Sequence, residues 1–349
     1  MAMKVRTVFY FCSFFLLTGC SLFQDGSKSE QEPGVISFPT SASGEAQHEF
    51  LKGITALHDF WYPQARDHFK KARELDTDFA MAYWGEVMTY DRPLWGQHDH
   101  EEGNQVLSAL DQKIEEGTVQ WSEREQAYLD AARLLFETGP SMANRRDQFA
   151  SAMQELAERY PDDQEAVIFA SLAEMSVSGF DFESDSDVDP VASRLEDVLE
   201  RNPNHPGALH YLIHVCDTEK FARRALPAAE KYLDIAVSSH AIHMGSHIFR
   251  HLGMWEKVVE VNIAAYTASV EWQQETERPL RARDFHAFDW LFDGYMRLGS
   301  YEEACKLLDE LDQLIAEADD RGEDHDSIIR AKDRSLDQYR NQAEAPACR

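Results

Sequence analysis

The sequence has 349 residues, with 63 acidic side chains against 34 basic ones and a net charge of −29. That sign excludes attraction to nucleic-acid phosphates and to anionic lipid headgroups. The length is enough to bury a large core without disulfide staples.

Lys4 and Arg6 precede an apolar run, Val8 to Leu17, which closes on Leu17-Thr18-Gly19-Cys20. A basic block, a short apolar block and small residues in that order form a secretory signal. The run is shorter than the roughly twenty residues of a spanning helix. Its last four residues resemble the bacterial lipobox. The resemblance implies a signal peptide over residues 1–19 and diacylation of Cys20, which becomes the new N-terminus. Ser21 in the next place implies an outer-membrane lipoprotein facing the periplasm. Attachment is then through the lipid. Losing Lys4 and Arg6 takes the charge to −31. Residues 20–47 are read as the lipidated cysteine and a flexible tether, since Ser, Gly, Gln, Glu and Pro dominate residues 21–46. Cys12 leaves with the signal, so Cys216, Cys305 and Cys348 remain. An odd count cannot fully pair, and no disulfide framework is expected.

From residue 48 a period of about 34 residues recurs. Gly53, Ala65, Phe69 and Ala72 form a small–small–large–small pattern, repeated by Gly299, Tyr301, Ala304 and Leu308. The stretch from His251 repeats the turn, with Gly253, Trp255, Val258, Asn262 and Ala265. Small residues let two helices approach and the large one fills the space between them. Pro161 and Pro203 stand where second helices end. The pattern resembles the tetratricopeptide repeat (TPR) family over residues 48–318. It implies an all-α, right-handed α-solenoid of roughly seven antiparallel helix pairs. Period-two alternation is scarce, so sheet is not expected. Residues 319–349 read as a polar C-terminal helix and tail.

Two segments break the repeat. Residues 91–100 read as an aromatic, proline-bearing loop. Residues 181–189 alternate acids but lack the glycine and glutamate of a calcium loop, so they read as a solvated acidic loop.

Residues 205–251 hold seven of the fourteen histidines. At 100° per residue, His240, His243, His247 and His251 fall within about 80° of arc on a helix near 239–252. Ala241, Ile242, Ile248 and Phe249 occupy the other side, so the stripe turns away from the packing face. A helix near 207–217 is apolar except for His210, His214 and Asp217. On a third, near 284–298, His286, Asp289, Trp290 and Asp293 share one arc. As first helices of consecutive units, all three should line one stretch of concave groove. His58 and Asp59 in the first unit read as an isolated contact.

This groove supports two functions. One is a scaffold that binds a protein or peptide partner. The other is a metal-binding or metalloenzyme groove built from His210, His214, Asp217, His240, His243, His247 and His286, with zinc or copper as the ion. His210 and Asp217 are separated by about 10 Å of helical rise, so such a site draws on more than one helix. The His-x-x-x-His spacings lack the zincin glutamate, and no nucleophile elbow, phosphate loop or dinucleotide fingerprint is present.

Overall fold

The computed structural model describes residues 36–342 and residue 348. The signal segment and Cys20 lie outside the described residues. Among the described residues fifteen α-helices account for nearly all the regular structure, and the fold is an all-α, TPR-like solenoid of antiparallel pairs. The pairs are α1 (Gly44–His58) with α2 (Tyr62–Leu75), α3 (Ala80–Met88) with α4 (His100–Glu116), and α5 (Glu123–Leu135) with α6 (Met142–Arg159). Then follow α7 (Gln164–Val177) with α8 (Asp185–Arg201), α9 (Pro206–Val215) with α10 (Ala222–Tyr232), and α11 (Ser239–His251) with α12 (Trp255–Glu275). The seventh is α13 (Phe285–Leu298) with α14 (Tyr301–Arg321), and α15 (Asp326–Arg340) packs on both of its helices.

The repeat signature is a packing rule here. Phe69 is fully buried between units one and two. A Cβ on Gly53 would lie 2.6 Å from its ring, and one on Gly85 would collide with the same ring. Ala65, Ala72 and Ala304 are fully buried at the corresponding close approaches. Each of the three histidine-bearing helices is started by a side-chain cap, which satisfies amides that the first turn leaves free. His205 Nδ1 accepts from Ala208, Ser238 Oγ from Ala241, and Asp284 Oδ1 from His286 and Ala287.

First helices stand side by side at α1 with α3, α3 with α5, α7 with α9, α9 with α11 and α11 with α13, and α1 also packs against α9. The superhelix therefore closes on itself, unit one meeting unit five. His58 and Asp59 make that closure, so they are not an isolated contact. His58 Nε2 donates to Glu165 Oε2 at 2.8 Å, His58 Nδ1 accepts from the Tyr211 hydroxyl at 2.9 Å, and His205 Nε2 donates to Glu165 Oε1 at 2.9 Å. Tyr232 donates to Asp59 at 2.7 Å. Nothing in a local period reports a contact between units four repeats apart.

Three further expectations are corrected. Residues 91–98 include a small antiparallel hairpin, with Asp91–Arg92 paired to Gln97–His98 around a 3-10 turn at Pro93–Trp95. Residues from Asp185 onward belong to α8, where Asp185 pairs with Lys220 and Asp189 with Arg224. Cys305 and Cys348 form a disulfide, leaving Cys216 free and buried.

Candidate metal centre

The histidine helices converge in two groups. His210, His214 and His240 bring three ring nitrogens within 4.8 Å of one another, and His243, His247 and His286 do the same. His210 and His243 are fully buried and His214 nearly so. The stripe does avoid the apolar face of its helix, but neighbouring elements cover it. Phe60, in the turn after α1, lies 4.6 Å from the His210 ring centroid and stacks on His240 at 5.8 Å. Trp290 covers His243 and His247 at 4.9 and 4.4 Å.

Second partners fix the rings. The Nδ1–H of His210 donates to the His58 carbonyl at 2.6 Å. That of His243 donates to Asn262 Oδ1 at 2.6 Å, while the Asn262 amide donates to the Val258 carbonyl, so the amide cannot be turned over. That of His247 donates to Asp217 at 2.7 Å. With Nδ1 committed in this way, the neutral form of each ring presents a bare Nε2 lone pair. The bare Nε2 atoms of His243 and His247 face each other at 3.0 Å. His210 Nε2 lies 3.1 Å from His214 Nε2. His240 Nε2 is buried with no hydrogen-bond partner.

Burial dominates the electrostatics. It pushes the His210 imidazole down to about 3 and holds His214, His240 and His243 well below the usual histidine range, with neighbouring histidines adding to the effect. Burial opposes ionisation of Asp217, but the hydrogen bonds and charges of His247 and His251 outweigh it and keep the carboxyl low. Burial raises Asp59 to about 7, against the opposing bond from Tyr232.

Both groups open on a chamber of about 640 Å³ lined by His214, His240, His247 and His286. The two segments that interrupt the repeat meet there: the hairpin brings Leu94 and Trp95, and the segment before α8 brings Asp181, Phe182 and Glu183. Phe180 lines it too and meets His214 edge-on at 5.7 Å. Among the described residues, three non-glycines have positive φ, and two of them are Phe60 and Phe180 at this site. Such backbone is costly and persists where surrounding packing imposes it.

Asp289 and Asp293 do not join the histidines. They bond to Arg334 and Gln338 of α15, leaving His286 and Trp290 to face α11. Asp217 sits behind His247 and His251 and belongs to neither triad. Phe60, Asn262 and the His58 carbonyl escape sequence reasoning. Asn262 falls inside the repeat turn pattern, where it reads as packing, and a main-chain carbonyl leaves no trace in residue type.

No family model matches this chain, and no curated protein matches it. Among solved structures, yeast Tom70 is similar over 90% of this chain and 68% of its own, at 12% identity and a TM-score of 0.40. The TPR2AB domain of yeast Sti1, solved in a complex described as pHSP90, is similar over 83% of this chain and 98% of its own, at 13% identity and a TM-score of 0.25.

Proposed function

We propose that this protein is a metalloenzyme of the bacterial cell envelope, anchored through lipid on Cys20, whose TPR-like scaffold holds two tri-histidine centres over a small-molecule chamber. The observation that carries the reading is the 3.0 Å approach of the His243 and His247 Nε2 atoms, with both Nδ1 protons committed elsewhere. Two lone pairs at that distance repel unless a cation lies between them. Burial disfavours an added proton on His243, whereas a metal ion takes both lone pairs as ligands. Anchoring of each ligand ring through its far nitrogen is the usual support of such a site. Three protein ligands would leave a coordination position open, where zinc or copper would polarise a bound substrate or water.

Elemental analysis of protein purified without chelators or a histidine tag tests this. Stoichiometric zinc or copper is expected, with His214→Ala and His247→Ala each well below the parent. His68→Ala, on α2, leaves the content unchanged. A parent that carries no metal and takes up none at micromolar zinc or copper sinks the reading.

The envelope location is supported by the Leu17-Thr18-Gly19-Cys20 motif and by the Cys305–Cys348 disulfide, a bond that persists in oxidising compartments. Cys20→Ala is expected to leave the lipoprotein fraction; a variant still carrying diacylglycerol overturns the assignment. A second reading, a protein or peptide partner, is favoured by a cleft of about 430 Å³ among Ile36, Leu51, Trp61 and Val237, which shares no lining residue with the histidine chamber. It predicts a metal-free parent that still captures an extended peptide.

A further inference from the structure

We infer that the two tri-histidine groups form one binuclear copper unit that binds dioxygen between its two ions. The inference rests on the metalloenzyme reading above and adds the pairing, the metal and the co-substrate.

The pairing follows from geometry. Within the triads, ring centroids are 4.6 to 6.3 Å apart. Across them, His214 lies 6.3 Å from His247, and His240 lies 6.5 Å from His243. The groups are thus as close to each other as the outer rings are within one group. One helix, α11, supplies His240 to the first and His243 and His247 to the second. Both groups open on the same chamber through His214, His240, His247 and His286. A diatomic ligand in the chamber can reach both.

The metal follows from the donors. Each triad is three imidazoles, with no carboxylate or thiolate among them. Asp217 is committed to His247 and His251, and Asp284 to Ser239 and the start of α13. Cys216 is buried, with its thiol pushed up to about 12. Two dications would place four positive charges beside neutral donors, at a heavy desolvation cost. Two copper(I) ions place half that charge there, and imidazole suits copper. Each copper(I) gives up one electron. Two electrons and two protons taken from water reduce one dioxygen to hydrogen peroxide, and the two hydroxides so formed offset half the charge of the two copper(II) ions that remain. The apolar wall of Leu94, Trp95, Phe180 and Phe182 suits a small apolar gas.

The test uses the full chain, loaded with copper(I) without oxygen and then exposed to air. Two copper ions per chain are expected, with most of the resulting copper(II) silent in electron paramagnetic resonance because the pair is coupled. His210→Ala is expected to hold one copper, now visible. Two coppers with full signal mean independent centres and overturn the pairing. A single copper in the parent does so as well. Tight zinc with no copper uptake overturns the choice of metal but leaves the metalloenzyme reading intact. No uptake of either metal overturns both.

Discussion

The carbonyl oxygen of His58 accepts the Nδ1–H of His210 at 2.6 Å, across 152 residues of chain. One bond both closes the solenoid and fixes which nitrogen His210 presents to the site. Fold and candidate chemistry therefore depend on the same contact.

Gly207 sits beneath that contact. A Cβ there would meet His58 Nδ1 at 2.5 Å and Cγ at 2.8 Å. Gly207→Ala is expected to push the His58 ring aside and cost about 1–3 kcal/mol. Denaturant melts should show the loss, and metal content should fall with it. An unchanged midpoint would mean that the closure yields without cost.

Asp217 orients two rings at once. Asp217→Asn keeps the shape but removes the charge, and loss of such an outer partner typically weakens metal binding about 10–100-fold. Competition against a chelator of known affinity measures this. Equal affinity in the variant would show that His247 needs no carboxylate behind it.

Glu165 gives a pH dependence. Burial opposes its ionised form, but His205 and His58 outweigh it and pull the carboxyl from its ordinary 4.5 to about 2. The folded value is depressed, so the stabilisation is complete above 4.5 and is lost as pH falls toward 2. Glu165→Gln is expected to cost about 1–3 kcal/mol at neutral pH, since one ring N–H loses its acceptor. The variant's stability should also fall less steeply than the parent's between those two pH values. Parallel curves would remove Glu165 from the acid response.

Ala65 and Ala304 test the repeat register. Each is fully buried at a helix crossing, and Leu at either place is expected to cost about 1–3 kcal/mol by overpacking. Thermal melts unchanged for both would place the crossings elsewhere.

The repeat and the three histidine-bearing helices were legible in sequence because both rest on local spacing. Gly53 and Phe69 follow the spacing of one repeat unit, and His240, His243 and His247 lie about one to two helical turns apart on α11, so local periodicity reports such neighbours directly. The closure was not legible. His58 and His210 belong to units four repeats apart, and superhelical curvature accumulates from small rotations at each joint. Asp289 and Asp293 fell on the expected arc, yet α15 occupies that side, so facing direction alone misassigned them. The Cys305–Cys348 bond was obscured by an odd count, which forbids full pairing but not partial pairing.

The donor set also has an order in time. His58 is synthesised first, and its carbonyl has no ring to hold until α9 exists. His286, the last of the six imidazoles, lies beyond α12. A growing chain therefore passes through lengths at which α9 and α11 are complete, with all three imidazoles of the first group, while His286 of the second is missing. On the proposed metal reading, an ion at the second group would then be held by two imidazoles only. That centre would close only when the seventh pair had docked, so its loading would follow folding rather than guide it.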